Sequence, residues 1–225
     1  MNTAIIVAAG TGSRFGSERP KQFVEILGKP VIIHTIERFE ECDAIDEMVL
    51  VLNANEIDNF QQFLTQYNFR KVVKLISGGV TRAESVRNGL DAVATATNIV
   101  AVHDGARPFV SVDEIRQTIE KATETGAACL VAEVIDTIKE IDGKNISRTI
   151  DRSKLRRALT PQAFGYELLL RAFDGVDLGE SITDECCLVE KLGVKIAFVE
   201  GSTRNIKITT PDDLIFAAAL SEASA

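Results

Sequence analysis

Short apolar runs of strand length alternate with segments of helical period along most of the chain. This alternation restricts the fold more than any other feature of the sequence. Residues 3–8, 48–52, 72–76, 99–102 and 128–134 read as buried strands. Between the first two, residues 30–39 carry Ile32, Ile33, Ile36 and Phe39 at helical spacing, and between the second and third, residues 57–67 read as another helix. Thr81-Arg82-Ala83-Glu84 and Ser111-Val112-Asp113-Glu114 fit capping boxes, which start one helix near Arg82 and another that runs to about Thr125. The pattern predicts a largely parallel sheet with helices on both faces.

The rhythm breaks once. Residues 138–141 and 146–150, joined by Asp142-Gly143, read as a hairpin with a tight turn. Rich in charge and poor in large aromatics, it suits an arm that folds over its own domain or reaches another subunit. Helical pattern resumes at 166–173 and 185–192, a late strand is expected at 194–199, and Thr210-Pro211-Asp212-Asp213 opens a last helix. No repeat, low-complexity tract or linker interrupts the chain. The expected organisation is one domain over residues 1–225, with residues 136–152 as an arm within it.

Charge and cysteine content exclude several functions. The formal net charge is −8, the opposite of a sequence-independent nucleic-acid binder. No apolar run approaches the roughly 18 residues of a membrane span, so neither nucleic acid nor membrane is an expected partner. Cys42, Cys129, Cys186 and Cys187 include no Cys-x-x-Cys, and the only histidines are His34 and His103. Free thiols in a reducing cytosol are therefore expected rather than a zinc site. The N-terminus lacks the pattern of a signal peptide, so a cytoplasmic location is expected.

Three constellations can carry chemistry. Ala8-Ala9-Gly10-Thr11-Gly12-Ser13-Arg14 follows the first strand, where open α/β sheets collect ligands. Its spacing is neither the dinucleotide fingerprint nor a Walker A loop. A glycine pair alone reads as a turn. Arg14 and Lys21 flanking one loop add the cations that suit a triphosphate. Next, His103-Asp104-Gly105-Ala106-Arg107-Pro108 closes the fourth strand. The acid there suits a metal ion or a hydroxyl, and the histidine reads as a packed strand-end residue. No Gly-x-Ser-x-Gly elbow supports a serine triad. Last, Lys207 sits between Ile206 and Ile208. It is either a solvated edge lysine or a third cation aimed at phosphate.

These segments, with Pro20-Lys21-Gln22, Gly78-Gly79-x-x-Arg82-x-x-Ser85, Asp136-Thr137, Asp151-Arg152, Thr160-Pro161-Gln162, Thr183-Asp184 and Asn205-Ile206-Lys207-Ile208-Thr209, occur in an order that resembles the 2-C-methyl-D-erythritol 4-phosphate cytidylyltransferases over nearly the whole chain. The resemblance implies a Rossmann-like nucleotidyltransferase three-layer α/β sandwich with a protruding β-arm, and a homodimer. It places CTP on Ala8, Ala9, Gly10, Gly12, Arg14 and Lys21, with the base near Gly79 and Ser85 and further contacts at Asp104 and Gly105. Arg14 and Lys21 then stabilise charge at the α-phosphate. Arg152 and Lys207 position methylerythritol phosphate, with Asp104, Arg107, Thr137, Thr160 and Thr183. Thr137 and Arg152 reach the partner's site. Mg²⁺ or another divalent cation bridges the phosphates near Asp104. The sequence departs from the family at Val80, where an acid is frequent, so base reading there must be mostly through backbone. Glu133 replaces a frequent proline at the arm root.

The residues suit that chemistry. A phosphate monoester is largely dianionic at neutral pH, because its second pKa is about 6, so it attacks without a general base. Cations should then dominate the site. A polyol-phosphate cytidylyltransferase would share the loop and lysines. A dehydrogenase would need an acid ending the second strand, where Leu52-Asn53 has none, and a non-catalytic nucleotide-binding module would need no second anion site.

Overall fold

The computed structural model describes residues 1–10, 23–179 and 182–222. Strand β1 (Asn2–Ala8) is followed by the short pair β2 (Glu25–Ile26) and β3 (Lys29–Pro30), then α1 (Val31–Glu41), β4 (Glu47–Leu52), α2 (Ile57–Tyr67), β5 (Val72–Ser77), α3 (Arg82–Asp91), β6 (Ile99–Asp104), α4 (Val112–Thr125) and β7 (Ala127–Glu133). After these come β8 (Lys139–Asp142), β9 (Asn145–Thr149), β10 (Arg156–Gly165), α5 (Tyr166–Phe173), α6 (Cys186–Lys191), β11 (Ala197–Glu200) and α7 (Pro211–Glu222). The main sheet has the order β11-β7-β10-β6-β1-β4-β5. All its pairings are parallel except those of β10, which runs antiparallel to both β6 and β7.

The three layers follow from the period-two alternation of the strands. Ala4, Ile6 and Ala8 of β1, with Met48, Leu50 and Leu52 of β4, face one side. There they meet Ile32, Ile33, Ile36 and Phe39 of α1, Phe60 of α2, and Ile115 and Ile119 of α4. Ile5, Val49, Val51, Val100 and Val102 face the other side, against Val86 and Leu90 of α3 and Leu169 and Phe173 of α5. Each such side chain contributes about 1.5–3 kcal/mol by leaving water. Both capping boxes form: Thr81 and Ser111 each accept the amide three residues on, and Glu84 and Glu114 reach back to the cap amides.

β10 is absent from the sequence reading, although it is an interior strand of the sheet, paired on both edges. Its residues Arg-Arg-Ala-Leu-Thr-Pro-Gln-Ala-Phe-Gly do not alternate, and a proline normally argues against a central strand. The register against β7 breaks between Ala158 and Gln162, and this bulge takes Pro161, which has no N–H to give. The Thr160-Pro161 peptide is cis.

Smaller corrections concern turns and ends. In the arm, Asp142 pairs with Asn145, so the turn residues are Gly143 and Lys144, with Gly143 at φ +57°. The late strand covers Ala197–Glu200 and the helix before it Cys186–Lys191, both shorter than expected. At the start of α7, Asp213 accepts the amides of Thr209 and Thr210 together with the Thr209 hydroxyl. No described helix is long and apolar enough to cross a membrane.

Candidate active site

The chain runs from β1 to β4 and β5 on one side and returns to β6 on the other, so the strand order reverses between β1 and β6. Ligands collect beyond the carboxyl ends of strands at such a point. A cavity of about 420 Å³ opens there, lined by Val7, Ala8, Ala9 and Gly10 at the end of β1, by Asp104 and Ala106 at the end of β6, and by Asn53, residues 79–82, Ser85 and Lys207. That volume suits a small ligand. A second cavity of about 240 Å³, lined by Arg107, Leu159, Thr160, Gln162, Thr183 and Asp184 among others, shares Arg82, Asp104 and Lys207 with the first. Two ligands could therefore meet at these three side chains.

Asp104 is the centre of the junction. Its Oδ1 accepts Arg82 Nε at 3.1 Å, and its Oδ2 accepts Lys207 Nζ at 2.9 Å and Arg107 Nε at 3.3 Å. Burial alone would raise its carboxyl, but Arg82, Lys207 and Arg107 hold it far below the usual carboxylate range. Arg82 is gripped from behind by Glu185, whose two oxygens accept Nη1 at 2.6 Å and Nη2 at 3.1 Å. Burial pulls Arg82 down, yet Glu185 and Asp104 outweigh it and raise the guanidinium further. Burial also raises the Glu185 carboxyl, with Arg82 opposing. Among the described residues Arg82, Arg107 and Lys207 converge on Asp104, which supplies the cationic side chains that anionic ligands require.

His103 and Thr160 support this centre. His103 Nε2 lies 3.2 Å from the Arg107 carbonyl, which can only accept, so the neutral imidazole carries its proton there and donates it. Nδ1 is then an acceptor and takes the Thr160 hydroxyl proton at 3.1 Å, while Thr160 Oγ1 accepts the Asp104 amide, also at 3.1 Å. Burial pushes His103 down to about 3. It is a neutral, packed strand-end histidine, 4.8 Å from the Phe39 ring. The β10 bulge is what brings the Thr160 hydroxyl to this point.

Among the expected site residues, Ala8, Ala9, Gly10, Gly79, Ser85, Asp104 and Lys207 line the first cavity, and Asp104, Arg107, Thr160, Thr183 and Lys207 line the second. Gly12, Arg14 and Lys21 lie outside the described residues. Gly105 lines neither cavity: its N–H goes to Val7 O and its carbonyl accepts Thr35 Oγ1. A Cβ on Gly105 would stand 3.0 Å from that of Ala8. Its role in this chain is therefore to let β1 and the post-β6 turn approach. Lys207 lies in an irregular segment rather than a strand, with Ile208 buried beside it. Of the backbone groups near Gly79, the N–H groups are taken. Gly79 N donates to Ser85 Oγ at 3.1 Å, and Val80 and Thr81 amides go to Glu84. Thr137 and Arg152 do not join the junction. Thr137 is exposed at the arm root, and Arg152 donates to the Ile135 carbonyl in a separate cavity with Glu133, Asp151 and Arg156.

Asp104 is also a poor fit for a divalent cation. Both oxygens already carry cationic partners, and the described residues hold no cluster of three His, Cys, Asp or Glu side chains able to ligate a metal.

Sequence reasoning assigned no role to Arg82, Asn53, Ala106 or Glu185. Arg82 carried a signal, because a cation in the first turn of a helix opposes the macrodipole and needs acids nearby. Those acids, Asp104 and Glu185, are distant in sequence.

A family model described as 2-C-methyl-D-erythritol 4-phosphate cytidylyltransferase matches residues 2–222. The chain is 45% identical over 224 residues to the protein of that name from Clostridium acetobutylicum, covering 98% of this chain and 97% of the relative. It is 43% identical over 218 residues to that of Geobacillus thermodenitrificans, covering 96% and 95%. Its structure resembles that of 4-diphosphocytidyl-2C-methyl-D-erythritol synthase from Anaerococcus prevotii, with a TM-score of 0.88, 31% identity and coverage of 98% and 96%.

Proposed function

Since the chain belongs to the 2-C-methyl-D-erythritol 4-phosphate cytidylyltransferase family, we propose that its reacting phosphates meet at the Asp104 junction. The protein is a nucleotidyltransferase of the non-mevalonate isoprenoid pathway. It joins CTP and 2-C-methyl-D-erythritol 4-phosphate to give 4-diphosphocytidyl-2-C-methyl-D-erythritol and pyrophosphate. The observation that carries the site assignment is that two cavities share Arg82, Asp104 and Lys207.

CTP occupies the larger cavity. The Gly79 carbonyl takes part in no hydrogen bond among the described residues. Ser85 Oγ donates to Thr81 O at 2.9 Å and accepts Gly79 N–H, which leaves one lone pair. Both remaining groups are acceptors, and the N4 amino group of cytosine is a donor. Methylerythritol phosphate occupies the smaller cavity, beside Thr160, Thr183, Arg107 and Lys207. One of its phosphate oxygens forms the new bond to the α-phosphorus while the bond from that phosphorus to the bridging oxygen of the leaving pyrophosphate breaks. The attacking oxygen bears no proton to remove. Arg14 and Lys21 complement the charge on the triphosphate side, and Lys207 orients the acceptor, so positioning and charge neutralisation supply the catalysis. A bound Mg²⁺ would neutralise charge on the triphosphate, and Asp104, with both oxygens already paired to cations, would not hold it.

The arm supports a homodimer. Ile141 and Ile146 pair across its strands and are 70% and 66% exposed. A two-stranded hairpin is marginal in water unless it packs on something, and closed two-fold pairing is the usual solution. Arg152 and Thr137 then complete the partner's site, in a cytoplasmic enzyme.

The test is pyrophosphate release from CTP and Mg²⁺ with a panel of sugar-alcohol phosphates. Methylerythritol phosphate should be used far better than ribitol 5-phosphate, and equal use would sink the substrate assignment. Mixing Arg152→Ala with Lys21→Ala chains should restore activity by creating one intact site per heterodimer. No recovery despite subunit exchange would place Arg152 in its own chain's site or nowhere.

A further inference from the structure

Glu185 is wholly buried, yet its acid takes no part in the reaction described above. A buried carboxylate is costly unless it is paired and hydrogen-bonded. Its partner is Arg82, which among the described cations of the junction is the one that contacts two acids, through all three guanidinium nitrogens. Asp104 and Glu185 thus use three of the five N–H donors. The remaining two belong to Nη1 and Nη2, on a side chain that lines both cavities.

The backbone around Glu185 is itself pinned. Asp184 Oδ1 accepts the Cys187 amide at 3.0 Å, and Asp184 Oδ2 accepts Gln162 Nε2 at 3.0 Å. Gln162 Oε1 in turn accepts the Cys186 amide at 3.2 Å. Gln162 belongs to the central strand β10 and Arg82 begins α3, so Glu185 ties the sheet to the helix that opens the nucleotide cavity. Without Glu185, Arg82 would be held by the single Nε contact to Asp104 and could pivot about it. The fork from Glu185 prevents this by fixing the plane and reach of the guanidinium.

We infer that Glu185 is a positioning residue, which acts through Arg82 to hold two N–H donors at the point where the nucleotide and acceptor phosphates meet. The inference rests on the proposed placement of the two substrates. It locates the effect in the chemical step, because a donor at the junction is best used as charge shifts between the two phosphates.

The experiment compares Glu185→Gln, Glu185→Asp, Arg82→Lys and the double variant Glu185→Gln/Arg82→Lys by pyrophosphate release, with circular dichroism to verify folding. Glu185→Gln should lower kcat roughly 10-fold or more while both KM values stay within about threefold, the mark of an interaction made in the transition state. Glu185→Asp keeps the charge and should recover part of the loss. Lysine cannot take the fork, so in the Arg82→Lys background the Gln change should cost less than about threefold more. A folded Glu185→Gln with wild-type kcat would overturn the inference, as would a full additional loss in the Lys background. If Glu185→Gln does not fold, the same comparison is made with Glu185→Asp, and an unchanged kcat there overturns it equally. Failure of the wild type to release pyrophosphate from CTP and methylerythritol phosphate would instead overturn the function.

Discussion

Acidification should destabilise this fold through His103 by a calculable amount. The imidazole is fully buried, takes the Thr160 proton on Nδ1 and titrates near 3 in the native state, against about 6.5 when unfolded. Between those values the unfolded chain binds a proton that the native chain refuses, so stability falls as pH drops through the window. The native pKa is depressed, so neutral burial costs nothing above pH 6.5 and progressively more below it. Each pH unit inside the window is worth about 1.4 kcal/mol, and going from pH 7 to pH 5 crosses about 1.5 units, or roughly 2 kcal/mol. For a domain of this size that shift lowers Tm by about 4–8 °C. Urea unfolding of wild type and His103→Gln at both pH values isolates the contribution. Glutamine keeps a donor and an acceptor but does not titrate, and other groups, including His34 with its own lowered pKa, cancel in the comparison. Wild type should lose about 2 kcal/mol more than the variant on acidification. Equal losses would show that His103 is not held neutral, and the proton assignment through the Arg107 carbonyl would fail with it.

Other perturbations address the site directly. Asp104→Asn leaves Arg82, Arg107 and Lys207 without their common counter-charge, and kcat/KM should fall roughly 10²-fold or more in a pyrophosphate-release assay; near wild-type activity would remove Asp104 from the centre of the site. Gly78→Ala would place a Cβ 2.2 Å from that of Ala9 and 2.8 Å from Ser85 Oγ, so calorimetric titration should show weakened CTP binding, and unchanged affinity would contradict the packing of this loop. UTP presents an acceptor where cytosine presents its amino group, so kcat/KM for UTP should be at least about 10-fold lower, and Ser85→Ala should narrow that gap; parity between the two nucleotides would refute the acceptor pair. Lys21→Ala should lower kcat by roughly 10²-fold, and normal turnover in the folded variant would break the assignment made from its loop.

Periodicity made the layers legible, because the spacing of apolar residues states directly which face of an element leaves water. In α1, Ile32, Ile33, Ile36 and Phe39 name the buried face before any coordinates exist, whereas the continuous apolar runs of β1 and β4 state burial on both faces without assigning a helix to either. The capping boxes at Thr81 and Ser111 were readable for a similar reason, since their partners lie three residues away. The ordered motifs also located most of the cavity lining, from Ala8 to Lys207. Tertiary structure decided what depends on partners far along the chain. β10 is central because β6 and β7 pair with it on both edges, and its own residues carry no strand period. Its bulge around Pro161 delivers Thr160 to Asp104, a meeting of residues 56 apart in sequence. Arg82 and Glu185 are 103 residues apart, and no local pattern pairs an arginine at a helix start with one acid among many. Ser85 and Gly79 were both visible, but only the fold shows that they bond each other. Local sequence can state what a residue needs, a partner for a charge or a donor for a carbonyl, while the folded chain determines which distant group supplies it.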